Sequence, residues 1–473
     1  MASSLAIVGA GMGGLTAAAA LYQRGFDVTV YEQAAQFVRL GAGIQMSPNA
    51  MRVLRGIGLE ARIRAVAFQP HSWTNREWNS GAMKYELPLG ADAEARYGAP
   101  YLLMHRGDLH EALVSAVPAE RIKRGKKLVA LDWRSGGVEL RFADGSKAHA
   151  DAVVAADGIH SRVRELWRGT ESANYTGRVA YRTTFPAALL GGYPIDECCK
   201  WWGPDRHIVI YYVTANRDEV YFVTSVPEPE FTVESWSATG DLGKLREAFS
   251  GFHEQVRRVV DACPAVHKWA IVDRGPLDRW GEGPMVLLGD AGHPMTQYMA
   301  QGAATSMEDA ALLARCVEAM PDDIAGAFRR YERVRRARTS QIQSTSQRNT
   351  WMREKTDPGW VYGYDAWTEC PPEPTTIAMF RAVQSQQVCD WRRRDAAAAM
   401  IRALPSHVLG SLLARRHALP AFDFVAFGLS ANEQLDVARH LANGYPSAPR
   451  HATPPPTAGR VRIGFLSPDF HPH

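Results

Sequence analysis

The chain has 473 residues, of which 46% are apolar and 22% charged. This is the balance of a globular protein and excludes a wholly disordered or collagen-like chain. Lysine plus arginine number 54 against 50 for aspartate plus glutamate. A net of +4 over this length gives no basis for binding nucleic acid or an anionic membrane. Length implies about two to four domains. Six scattered cysteines (Cys198, Cys199, Cys263, Cys316, Cys370 and Cys389) form no CxxC and no zinc spacing, so no metal site is expected. A reduced, cytoplasmic setting is the simplest expectation.

Leu5 to Tyr22 carries no charge, but four glycines crowd its middle and no basic residue precedes it. That composition suits a tight strand-to-helix turn rather than a membrane span or a signal peptide. Leu5-Ala6-Ile7-Val8 reads as a buried parallel strand. It enters Gly9-Ala10-Gly11-Met12-Gly13-Gly14, and an alanine-rich helix over Leu15–Gln23 follows. Asp27–Tyr31 is a second strand, closed by Glu32, 18 residues after Gly14. The unit is strand, GxGxxG, helix, strand, acid, the pattern that grips a dinucleotide. Gly9 makes the turn, Gly11 lets backbone approach a pyrophosphate, and Gly14 packs helix on strand. The helix N-terminus favours phosphate, and Glu32 is placed to accept from a ribose diol. The motif alone leaves FAD and NAD open.

Further along, the strand Ala152–Ala156 runs into Asp157-Gly158-Ile159-His160-Ser161-Arg162. Between Arg164 and Met285 the pattern changes to short runs of period two, Val179–Thr184, His207–Val213 and Glu219–Thr224, which predict an antiparallel sheet. His207 and Tyr211, four apart on one strand, face the same side. Met285–Leu288 is another strand, entering Gly289-Asp290-Ala291-Gly292-His293-Pro294, and Gln301-Gly302-Ala303 opens a helix.

On these motifs, residues 5 to 368 resemble the group A flavoprotein aromatic hydroxylases, the FAD monooxygenases with the p-hydroxybenzoate hydroxylase fold, which include salicylate hydroxylase. The resemblance implies a Rossmann-type FAD-binding α/β domain carrying an inserted antiparallel β-sheet substrate domain, followed by a C-terminal helical extension. The expected boundaries are 1–175 and 276–368 for the FAD-binding parts, 176–275 for the substrate sheet and 369–473 for an appended tail. It also implies FAD as cofactor, NADH or NADPH as transient co-substrate, and O2. Asp157, Asp290, Arg106 and Arg39 match positions that contact FAD in that family. The helix at Gln301-Gly302-Ala303 could aim N–H groups at the negative edge of reduced flavin. Two positions depart from the family: Gln297 stands where proline is frequent, and Ala300 where glycine is.

Cys198-Cys199-Lys200-Trp201-Trp202, His207, Tyr211 and Trp360-Val361-Tyr362-Gly363-Tyr364 resemble the 6-hydroxynicotinate 3-monooxygenase branch. That likeness implies a substrate pocket of Gln45, Cys198, His207 and Tyr211, with His207 and Tyr211 catalytic. A histidine suits removal of a phenol-type proton, which makes the ring electron-rich. Gln45 stands where that branch carries histidine, and glutamine relays no proton. The expected reaction is decarboxylative hydroxylation of a small hydroxy-aromatic acid such as 6-hydroxynicotinate. A salicylate hydroxylase-type reaction on a benzenoid acid, and a flavin redox protein that does not hydroxylate, are the alternatives. The expected assembly is monomer or homodimer.

From Pro374 the chain carries 11 arginines against 6 acids and no lysine. Val388-Cys389-Asp390-Trp391 and Arg462–His471 resemble the entry to the catalytic region of O-linked N-acetylglucosamine transferase-like proteins. The nucleotide-sugar portion is missing, so the tail is expected to be a remnant without activity, or an interaction module.

Overall fold

The computed structural model describes residues 3–39, 41–134, 137–230 and 238–368. The transferase-like motifs and the helices expected after residue 369 lie outside the described residues.

In chain order, the elements that build the site are β1 (Ser4–Val8), α1 (Met12–Tyr22), β2 (Asp27–Tyr31), β3 (Ser72–Glu77), β4 (Met83–Pro88), α2 (Arg106–Ser115), β5 (Ile122–Lys123) and β6 (Ala152–Ala155). There follow α3 (Arg162–Arg168), β7 (Asn174–Pro186), β8 (Cys198–Trp202), β9 (His207–Tyr212), β10 (Glu219–Pro227), β11 (His267–Asp273), β12 (Gly281–Glu282), β13 (Met285–Leu287), α4 (Gly302–Ala319) and α5 (Ile324–Gln347).

One sheet has the order β12-β13-β6-β1-β2-β5. Its core strands are parallel: Val8 pairs with Ala155, and Ala155 with Leu287. Both faces are covered, so β1, β6 and β13 read as unbroken apolar runs. α1 is buried on every side, which its small residues Ala17–Ala20 permit. It begins three residues earlier than expected, because Gly13 and Gly14 are themselves helical. A Cβ on Gly13 would strike Leu288 and Ser306, and one on Gly14 would strike the carbonyl of Gly9.

The second sheet has the order β11-β7-β10-β9-β8-β3-β4. It is antiparallel except at one seam, where β8 runs parallel to β3. Two of its strands, β3 and β4, come from the chain before residue 100, so the sheet reaches beyond the inserted segment. β8 escapes a period-two reading because all five of its residues are buried, on both faces. Among the described residues no helix is long and apolar enough to cross a membrane.

Candidate active site

Parallel pairing of β1, β6 and β13 puts their C-terminal ends side by side, so the turns at Gly9, Asp157 and Gly289 meet at one edge. Open α/β sheets place their ligands at such an edge. Gly9 has φ +102°, and a Cβ there would meet the carbonyl oxygen of Ala156 at 2.4 Å, so only glycine fits. Gly11 caps α1, and a Cβ on it would touch nothing within 4 Å, which leaves its backbone open to a ligand. The Glu32 carboxylate closes onto the same turn, accepting from Ala10 N at 2.8 Å. Arg164 ties the other two turns together, donating to the carbonyls of Ile159 and Ala291 at 2.6 Å each.

Asp157 accepts from Val163 N at 3.1 Å through Oδ2, and its buried Oδ1 has no partner. Asp290 faces the start of α4, and a Cβ on Gly302 would stand 3.9 Å from its Oδ1. Arg106 opens α2. Its guanidinium makes no hydrogen bond or ion pair with another described residue, although the charge of Asp290 supports its own. Water reaches both Arg106 and Asp290, yet protein crowds them enough for desolvation to oppose their charged forms above all else. Residues so placed line a cleft. A cavity opens beside Asp290, lined by Ile159, His160, Trp269–Val272 and Pro294–Gln297.

Two sequence-derived cofactor residues have side chains already engaged by the protein. The Arg39 side chain is 52% exposed and is held by Asp108 at 2.9 Å, with Glu219 at 3.7 Å. The Gln301 side chain turns into the protein, donating to Ser47 Oγ at 2.9 Å and accepting from Asn49 Nδ2 at 3.0 Å. Only its backbone, with Gly302 and Ala303, faces the cleft end of α4. Behind that helix lies a buried charge network. Arg335 contacts Glu308 and Asp309 at 2.7 and 2.6 Å, and His293 bonds the other oxygen of Asp309.

The substrate-side residues do come together. Tyr211 pairs with Cys198 across β8–β9 and with Tyr221 across β9–β10, and these alternate with residues of the far face. Gln45 accepts from the Tyr101 hydroxyl at 2.7 Å and also bonds Tyr211. A Cβ on Gly43 would strike the ring of Tyr221 and the hydroxyl of Tyr211, so glycine lets this loop reach the sheet. His207 lies on the same face, its ring centre 5.2 Å from that of Trp202 and 5.5 Å from that of Tyr298. Tyr362, from the Trp360–Tyr364 motif, packs on Tyr97 and Tyr101 in the same cluster.

Burial, then Lys200, then Arg178 hold the His207 imidazole well below its ordinary pKa, so it is neutral. Burial pushes Tyr211 well above the usual phenol range and Tyr221 up to about 12, although Arg182 and Arg106 oppose it at Tyr221. Both hydroxyls therefore remain donors, and burial keeps the Cys198 thiol protonated. Sequence reading passed over three groups of this face: Lys200, Arg182 and Tyr221. Arg182 lies over Trp269 at 4.1 Å and bonds Tyr221. The signal for Lys200 was a lysine set between cysteines and tryptophans.

A nucleotide-gripping α/β sheet, with a second sheet closing an aromatic pocket over its loop edge, defines a cofactor-dependent enzyme. Comparison with known proteins makes this specific. A family model described as an FAD binding domain matches residues 2–346. The chain is 45% identical over 368 residues to 6-hydroxynicotinate 3-monooxygenase of Bordetella bronchiseptica, covering 77% of this chain and 96% of that one. It is 44% identical over 377 residues to 6-hydroxynicotinate 3-monooxygenase of Pseudomonas fluorescens, covering 79% and 98%. Among solved structures it resembles Klebsiella pneumoniae HpxO complexed with FAD and uric acid, with a TM-score of 0.66 and 27% identity over 76% of this chain and 90% of that one. The chain belongs to the FAD-binding monooxygenase family and is an FAD-dependent aromatic hydroxylase.

The residues present fit FAD: an unpartnered cation at Arg106, an orphaned carboxylate oxygen at Asp157 and an open glycine turn at Gly11. When bound, FAD accepts hydride from NAD(P)H and activates O2.

Proposed function

We propose that this enzyme hydroxylates a small hydroxy-aromatic carboxylate of the 6-hydroxynicotinate kind, the hydroxyl replacing the carboxylate. The balance is ArCOOH + O2 + NAD(P)H + H+ giving ArOH + CO2 + H2O + NAD(P)+. The support is one observation: Cys198, His207 and Tyr211 share the sheet face that closes over the cleft lined by Arg106 and Asp290, and Gln45 bonds that face.

Arg106 and the N-termini of α1 and α4 would meet the negative charge of the cofactor, and Glu32 its ribose. Asp157 and Asp290 would bond its polar edges. Neutral His207 accepts the proton of the ring hydroxyl, which raises electron density on the carbon attacked. Tyr211, a donor held between Gln45 and Tyr221, anchors the ring, and Cys198 lines the pocket beside it. The apolar wall of Trp73, Tyr101 and Tyr362 excludes water. We place the reaction in the cytoplasm, which agrees with the four described cysteines, all buried and free.

NAD(P)H oxidation with O2 uptake, measured against hydroxypyridine and hydroxybenzoate acids with product mass, tests this. A product lighter than the substrate by CO2 and heavier by one oxygen is expected. Turnover of benzenoid acids alone would replace the pyridine reading, and NAD(P)H consumption without any hydroxylated product would overturn hydroxylation.

A further inference from the structure

The pocket face of the second sheet carries a buried lysine, Lys200, to which the mechanism above gives no contact with substrate. Lys200 sits at the middle of β8, opposite Val209 of β9 and beside Asn75 of β3. It is 2% exposed. Its ammonium stands 3.8 Å from the centre of the Trp202 ring, and it makes no hydrogen bond or ion pair with any other described residue. Val209 lies between His207 and Tyr211 on its strand, so Lys200 falls between the two ends of the proposed substrate site.

Two further donors adjoin it. Asn75 Oδ1 accepts from Trp202 Nε1 at 2.9 Å. An indole N–H only donates, so the amide orientation is fixed and Nδ2 is the atom left over. That buried Nδ2 has no partner. Nor has Nε1 of Trp73, two residues earlier on the same strand. Glu77, further along that strand, is already bonded to Lys84 at 2.7 Å. Buried donors without acceptors are costly, and a buried ammonium more so. A cluster of them in an aromatic pocket has the chemistry of a receptor for a flat anion. Burial alone pushes Lys200 down to about 7, and an anion beside it would restore its charge.

We propose that Lys200, with Nδ2 of Asn75 beside it, receives the carboxylate of the aromatic acid. This deepens the function proposed above and rests on it. It assigns to Lys200 the choice of acids over neutral phenols and hydroxypyridines, because a neutral ligand leaves the ammonium buried and unpaired. A competing role is purely electrostatic, with Lys200 acting only to keep His207 neutral.

The test uses FAD-loaded protein and the variant Lys200→Met, with Lys200→Gln as the second variant should the first fail to fold. Dissociation constants are read from the change in flavin absorbance for 6-hydroxynicotinate and salicylate, and for 2-hydroxypyridine and phenol, which lack the carboxylate. Either variant should weaken the two acids at least tenfold and leave the two neutral ligands within twofold. Lys200→Arg should recover part of the acid binding. Equal loss for acids and neutral ligands, together with a shifted pH profile of kcat, would overturn the proposal in favour of the electrostatic role. Unchanged acid binding would also overturn it. If the unaltered protein binds no aromatic acid, the underlying reading falls, and this inference with it.

Discussion

The side-chain amide of Gln297 donates to the backbone carbonyl of Thr224 at 3.0 Å, fastening the loop before α4 to strand β10 of the other sheet. The next residue repeats the link, since the Tyr298 hydroxyl lies 3.1 Å from Ser225 Oγ. A polar side chain thus restrains the loop at the position where the family resemblance leads one to expect a proline. Gln297→Ala should free the loop and let reduced oxygen escape as peroxide. Peroxide formed per NAD(P)H consumed should rise at least twofold, while stability falls by only about 1 kcal/mol. An unchanged peroxide yield would deny the loop this role.

Ala300 has φ +54°, in the left-handed region where a Cβ costs about 1 kcal/mol. Ala300→Gly should therefore stabilise the protein by about 1 kcal/mol, less the entropy that glycine adds to the unfolded chain. Urea unfolding measures it, and a clear loss of stability would show that Ala300 makes a contact worth more than its strain.

Arg106 and Arg39 are both arginines near the cleft, but only Arg106 is without a protein partner. Arg106→Met should raise the dissociation constant of FAD at least tenfold, as loss of a charge-assisted contact does. Arg39→Met should change it less than threefold, because Asp108 already holds that guanidinium. Titration of apoprotein with FAD, followed by flavin fluorescence, separates the two.

Arg335 neutralises Glu308 and Asp309 where no water reaches. Arg335→Met should cost roughly 3–5 kcal/mol, because it strands buried carboxylates. Burial alone would raise Asp309, but His293 and Arg335 overcome it and hold the carboxyl at about 2. A depressed carboxyl contributes stability above its unfolded value of roughly 4 and loses it as pH falls through the folded value. Chemical denaturation between pH 5 and 2 should show that decline in the parent protein, and a smaller one in the variant.

His207 is neutral well below the pH at which histidine ordinarily titrates. The acid limb of kcat should therefore lie below the ordinary histidine value of about 6.5. His207→Gln keeps an acceptor but removes the base, and kcat should fall about a hundredfold with FAD still bound. A pH profile centred on 6.5, or a variant with full turnover, would remove the role.

The nucleotide-binding half was legible because its signals are local. Gly9, Gly14 and the apolar strands obey steric rules that hold in any setting, and the Asp157 and Asp290 turns follow strands of the same kind. The substrate half was legible only in part. β3 lies more than a hundred residues from β8, the strand it joins, and β4 enters the sheet only through β3; no local pattern announces a partner at that distance. Lys200 was hidden because its strand is covered on both faces, so no alternation marks which side is wet. The Gln301 side chain could not be assigned from sequence, since its partners Ser47 and Asn49 lie some 250 positions away.

β6 separates β1 from β13, so the cofactor cleft is sewn from the first ten residues, the middle and positions near 290 of the chain. During synthesis the earlier parts must wait, with an open sheet edge beside Ala152–Ala155, until Met285–Leu287 leaves the ribosome. A cofactor held by all three segments would gain its full affinity only after the last strand of the sheet has been laid down.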